Sequence, residues 1–127
     1  MTKKTDTVYN RYGYPELRIL KNGRLINFAG YHVGFLRKQH VYDYFGYHRG
    51  WYEKGVLRDN AGYVAGFGER PTDYPKPILP IKQIQLIPLI TKVAPIKPIL
   101  QIPPIKPIKS FIWSSLTPTK LLGGKNG

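Results

Sequence analysis

The 127-residue chain sets 20 lysines and arginines against 7 acids, a formal charge of +13, and contains no cysteine. Disulfide scaffolds and thiolate chemistry are excluded, and a reducing compartment, the cytoplasm, is the expected location. The length allows one compact domain plus an extension. No proline-poor apolar run of about twenty residues exists for a spanning helix, and Met1-Thr2-Lys3-Lys4 is not followed by the apolar run of a secretory signal.

Four times an Asx, two variable residues, a Gly and a Tyr recur, at Asn10 to Tyr14, Asn27 to Tyr31, Asp43 to Tyr47 and Asp59 to Tyr63, with starts 17, 16 and 16 residues apart. A repeat this short predicts a symmetric β scaffold. Each unit reads as one hairpin: the Asx side chain bonds the backbone of its own turn and the Gly supplies positive φ. The units run over 8–24, 25–40, 41–56 and 57–72, and none can bury an apolar face alone. Setting them around a pseudo-fourfold axis, each edge paired with the next, solves both burial and edge exposure. Gly34, Gly50 and Gly66 in the returning strands are expected where a neighbour approaches too closely for a Cβ. The first unit departs, with Pro15 after Tyr14 and Leu17 in place of that Gly, so this petal is expected to be distorted.

The Gly-Tyr-x-x-Gly-Phe/Trp units, the Lys/Pro/Ile-rich tail and Trp113-Ser114 together resemble the bacterial 4-fold β-flower proteins, over nearly the whole chain. The resemblance implies an all-β, shallow pseudo-fourfold barrel with an apolar centre, and implies no established activity. Residues 1–73 would form the flower, 74–112 an extended tail and 113–127 a C-terminal anchor with a frayed end. The repeated aromatics Tyr14, Tyr31, Phe35, Tyr47, Trp51, Tyr63 and Phe67 are candidates for the core, or for lining a central apolar pocket.

From Ile78 every third residue is β-branched: Ile78, Ile81, Ile84, Ile87, Ile90, Val93, Ile96, Ile99, Ile102, Ile105 and Ile108, with Phe111 next and Trp113 just beyond. Prolines at this density exclude an α-helix and interrupt any central strand. Period three is that of polyproline II, which places the β-branched residues on one ridge. Such a ridge is too apolar for a linker. Extended, it would reach on the order of 100 Å, so it is expected to fold back, near Thr91-Lys92, or to run onto other chains, covered by the barrel, by sister tails or by a foreign partner. Thr117-Pro118 through Leu121-Leu122-Gly123 predicts a short capped helix.

Residues 1–73 hold 12 basic and 7 acidic side chains, net +5, and residues 74–127 hold eight lysines and no acid, net +8. A wholly basic extension suits an anionic lipid surface or nucleic-acid phosphates. Chemistry is sparse. The serines, Ser110, Ser114 and Ser115, lie in no nucleophile elbow. His32 and His48 occupy equivalent positions, but Val64 and Pro15 in the other units leave too few ligands for a metal. No enzyme, cofactor or metal is expected. The leading reading is a non-enzymatic scaffold that binds an apolar or amphiphilic ligand, or an anionic lipid surface, through the centre of the flower, with the tail mediating assembly. The alternatives are a basic accessory protein of a ribonucleoprotein or ribosome, and a structural homo-oligomer.

Overall fold

The computed structural model describes residues 4–84 and 87–123, so the expected fraying of 124–127 lies outside the described residues. Eight strands, β1 (Lys4–Tyr9), β2 (Pro15–Leu20), β3 (Arg24–Asn27), β4 (His32–Arg37), β5 (His40–Tyr42), β6 (His48–Glu53), β7 (Val56–Asp59) and β8 (Val64–Phe67), precede one short helix, α1 (Pro118–Leu121). Each strand pairs antiparallel with the next, and β8 returns to β1 through Tyr9 and Phe67, closing the barrel. The four-hairpin fold read from the repeat is the fold observed.

The repeated motif forms the four turns within the hairpins, which the up-and-down order places at one end of the barrel. In each, the Asx side chain accepts two backbone N–H groups: Asn27 Oδ1, for example, takes those of Ala29 and Tyr31, both at 3.0 Å. The Gly N–H donates back to the Asx carbonyl, as Gly46 does to Asp43 at 3.2 Å. Every hairpin then slips register at one equivalent point, Val8/Tyr9, Leu25/Ile26, Val41/Tyr42 and Leu57/Arg58. The first petal shares this bulge despite Pro15 and Leu17; it departs in an added irregularity between Lys4 and Asp6 and in a junction with β8 made through Tyr9 and Phe67 alone.

Facing pairs across the hairpins show why the strands carry glycine. Leu25 pairs Gly34, Val41 pairs Gly50 and Leu57 pairs Gly66, one bulky residue opposite none, whereas Val8 pairs Leu17. A Cβ on Gly34, Gly50 or Gly66 would run into the backbone carbonyl of Tyr42, Arg58 or Tyr9 in turn, and on Gly34 and Gly66 also into the C-terminal segment, at Leu122 and Pro118. Thr117 caps α1 with Pro118 at its first turn, as the sequence predicts. Leu121 and Leu122 join Val8, Leu17, Ile19, Leu25, Val41, Leu57 and Ala65 in the inner core. The centre of the barrel is therefore filled by the chain's own end.

Candidate functional site

Beyond the barrel, the described residues of 74–110 form neither helix nor ladder, yet they are held. The tail meets the four turns one after another. Gln83 N–H donates to Gly13 O at 2.8 Å, Lys92 to Gly30 O at 2.8 Å, Gln101 to Gly46 O at 2.8 Å and Ser110 to Gly62 O at 3.1 Å. Two residues before each donor, the carbonyl of Ile81, Ile90, Ile99 or Ile108 occupies the place where the turn glycine would carry a Cβ. These glycines have φ of +87°, +93°, +91° and +91°, so the left-handed turn and the close approach ask for the same residue. The contacts recur every nine residues of the tail and every petal of the barrel. The expected fold-back near Thr91-Lys92 does not occur; that pair sits at the second contact while the tail circles the barrel end.

A buried guanidinium closes the circle. Arg58, 2 % exposed, donates to Pro75 O where the tail begins, and to Ser110 O, at 2.7 Å, and Gly62 O, at 3.1 Å, where it ends. Its Nε lies 3.5 Å from Asp73 Oδ2, and Lys109 Nζ reaches Asp73 Oδ1 at 2.8 Å. Burial lowers the Arg58 pKa, opposed by the Asp73 charge. Burial would raise that of Asp73, but the hydrogen bond and charge of Lys109, with those of Arg58, hold it below the usual carboxylate value. Lys106 also pairs with Glu53.

The seven repeated aromatics split. Phe35, Trp51 and Phe67 are buried, whereas Tyr14, Tyr31, Tyr47 and Tyr63 stand exposed at the turn end. None belongs to the inner core cluster. Phe35, Trp51 and Phe67 alternate with the inward glycines and so face outward. There Phe35 stacks on Tyr42 and Phe67 on Tyr9, and Trp51 packs against His40 and His48. Tail lysines lie over these rings: Lys97 over Phe35, Lys106 over Trp51 and Lys82 over Tyr9. A central pocket lined by the seven rings does not exist among the described residues, because Leu121 and Leu122 occupy that space. A cavity of about 150 Å³ does open beside Leu122, between Tyr31, His32, Val33, Tyr44 and Phe45, and Tyr31 alone of the seven lines it.

The β-branched ridge faces away from the barrel. Each residue from Ile78 to Ile108 in the three-residue series is at least 85 % exposed, and Phe111 is 64 % exposed. Cover by the chain's own barrel, one of the expected arrangements, is absent. Trp113, by contrast, docks: it bridges Val64 in parallel and lies 6.3 Å, ring to ring, from Phe67.

The two histidines at equivalent repeat positions have different partners. His32 Nε2 lies 3.0 Å from Lys92 O. His48 instead meets His40, Nε2 to Nδ1 at 2.9 Å, and turns its own Nδ1 to Asn60 Oδ1 at 2.9 Å. Burial lowers the pKa of both, reinforced in His40 by Lys106 and Lys38 and in His48 by His40. Among the described residues no group of three or more His, Asp or Glu side chains is placed to hold a metal, and no helix is long and apolar enough to cross a membrane.

Sequence reading by threes missed a nine-residue period that was visible: Pro80-Ile81-Lys82-Gln83-Ile84 returns as Leu89-Ile90-Thr91-Lys92-Val93, Pro98-Ile99-Leu100-Gln101-Ile102 and Pro107-Ile108-Lys109-Ser110-Phe111. It missed Arg58 as well, although Arg58 breaks the apolar series Tyr9, Ile26, Tyr42 at the position after each bulge. No curated protein and no solved structure matches the chain. Residues 6–122, barrel, circling tail and docked C-terminus together, match the profile of one family, and the chain belongs to the 4-fold beta flower proteins.

Proposed function

We propose that this β-flower protein is a non-catalytic binding protein that works at an anionic lipid surface, and that its contact is the outer rim of the circling tail rather than the centre of the barrel. One observation carries the reading: eleven isoleucine and valine side chains stand at least 85 % exposed on a backbone bonded to all four turns. Their orientation is fixed by those bonds, so the ridge cannot turn inward to hide. An exposed apolar surface of this extent is characteristic of an interaction site. Tyr12, Tyr14, Phe45 and Tyr47, also exposed at the turn end, suit the boundary between hydrocarbon and water.

The magnitudes favour a reversible attachment. Fully burying one isoleucine side chain contributes about 1.5–3 kcal/mol, so a few side chains entering the acyl boundary give useful affinity without spanning. The net charge of +13 adds attraction toward negative head groups that falls with salt. Lys97 and Lys106 lie over barrel rings and Lys109 pairs with Asp73, so the attraction comes from the overall charge rather than from these three side chains, and the exposed apolar ridge is what favours a lipid surface over a phosphate backbone.

The test is flotation of the full chain with vesicles of phosphatidylcholine alone and of phosphatidylcholine with phosphatidylglycerol. The protein is expected to float with the anionic vesicles and to be released in part by high salt. A variant carrying Ile84→Ser, Ile96→Ser and Ile105→Ser, all at exposed positions, should keep its thermal unfolding and stay at the bottom of the gradient. Wild-type protein that remains unbound to both vesicles overturns the proposal.

A further inference from the structure

The tail is bonded to the barrel as a ligand is bonded to a receptor. At each turn the receptor side is one glycine carbonyl and the room left by a missing Cβ, and the tail side is one amide N–H and one carbonyl; the second turn adds Leu89 N–H to Phe28 O at 2.9 Å. The amide donors belong to Gln83, Lys92, Gln101 and Ser110, three residue types nine apart, and the Gln101 side chain also accepts from the His48 N–H at 2.8 Å. Recognition at the turns is therefore mainly by backbone and by pitch. Proline adds to the pitch: Pro80, Pro98 and Pro107 immediately precede the isoleucine at three of the four turns and lie against the glycine there, presetting an extended chain at low entropic cost.

We infer that the turn end of the barrel is a four-subsite receptor for extended, proline-rich chain with a nine-residue pitch, filled here by the chain's own tail and open in trans to the tail of a second copy. This goes beyond the lipid contact, which uses the opposite, outward edge of the same segment. A second copy is the fitting occupant because the match lies within one sequence, four glycine turns against four nine-residue units. The connection is tied to the barrel as far as Pro75, by Gly68 N–H to Gly55 O, Thr72 N–H to Lys54 O and Arg58 to Pro75 O, and no residue of 76–80 belongs to a strand or helix, so exchange pivots there. Exchange of an element that keeps all its bonds in either setting is a low-cost route to linking copies. A single subsite is weak, about one net hydrogen bond. Four in series hold firmly, yet they release one at a time, so a tail that loops out between its two anchored ends, at Pro75 and Trp113, can be replaced stepwise by another.

Two experiments on the full chain decide it. In the first, copies labelled with 14N and 15N are mixed, unfolded, refolded at high concentration and cross-linked through their lysines. Mixed-isotope links between tail and barrel are expected at the residue pairs that link within one copy in dilute protein. In the second, a fluorescent peptide of residues 76–116 is titrated onto the wild-type chain and onto Asp73→Asn, whose tail closure is weakened. Binding is expected to be tighter to the variant. A peptide lacking Ala94, which sets the last two units one residue out of phase, should bind at least roughly tenfold more weakly, since two subsites are lost. Isotopically pure cross-links at every concentration, or equal binding of the two peptides, overturns the inference, whatever the outcome with vesicles.

Discussion

Asp73 and Lys109 stand 36 residues apart in sequence and share an ion pair of 2.8 Å, joining the point where the tail leaves the barrel to the point where its circuit is complete. Asp73 is 3 % exposed and also faces Arg58, so its carboxylate is compensated from two sides. That geometry fixes the direction of its acid response. A carboxyl held below its unfolded pKa contributes stability that is fully present above that value, about 3.9, and is lost as pH falls through the folded value.

Asp73→Asn should therefore lower the thermal midpoint at neutral pH and flatten the acid limb of stability below about pH 4, compared with the wild type. Removing one partner while the Arg58 charge stays buried costs on the order of 3 kcal/mol. Thermal unfolding of both proteins between pH 2.5 and pH 7 checks it. Curves that run parallel across the range would remove Asp73 from the closure of the tail.

The contact of Gly46 with the tail separates two costs of glycine replacement. Gly46→Ala must adopt a φ near +91° and also place its Cβ on the Ile99 carbonyl, whereas Gly123, at φ +105°, has nothing within 4 Å. Gly123→Ala should cost about 1 kcal/mol in backbone strain. Gly46→Ala should cost more and, by displacing the tail locally, should abolish hydrogen-exchange protection at the Gln101 amide while sparing Gln83. Unchanged protection at Gln101 would show that the nine-residue contacts do not hold the tail.

Much of this arrangement was legible from residues. Asn10, Asn27, Asp43 and Asp59 announced turns that their side chains do cap, and the equal spacing of those turns predicted closure. Thr117-Pro118 and Gly123 marked the ends of a helix. Its destination was not legible, because nothing local in Leu121-Leu122 says that Gly34 and Gly66 leave room for it across the barrel. The aromatic positions misled for a related reason. Period two separates the two faces of a strand, but in a barrel wrapped by a tail both faces are buried, and pattern alone does not say which is inside. Arg58 was invisible as a hub because its partners, Asp73, Pro75 and Ser110, come from segments that meet only after the tail has gone round.

Leu122 shows what filling the centre contributes. It is 5 % exposed and packs in the inner cluster, where a Cβ on Gly34 would contact it. Leu122→Ala should destabilise by about 2–5 kcal/mol, the range for truncating a packed core leucine, measured by denaturant unfolding. The variant should also enlarge the cavity beside Tyr31 and Val33 and take up a small apolar solute that the wild type excludes. A cost below about 1 kcal/mol would mean that the barrel stands without its C-terminal plug.

Acidification through a higher range tests the histidine pair. His40 and His48 are coupled ring to ring at 2.9 Å, with His48 held by Asn60 on its far side. Protonating either ring would put a cation where burial and, for His40, Lys106 and Lys38 already oppose it. The unfolded chain takes these protons near pH 6.5, before the folded one does, so the pair's contribution is complete above that pH and drains away as pH falls below it. Stability should decline between pH 7 and pH 5, and the double variant His40→Gln, His48→Gln should lose most of that slope while leaving the fall below pH 4 that belongs to Asp73. Because Trp51 packs against both imidazoles, at 4.7 Å and 4.8 Å between ring centroids, tryptophan fluorescence can follow the same titration in the folded protein. An emission that stays constant from pH 7 to pH 5, with the slope of stability retained in the double variant, would assign the decline to other groups.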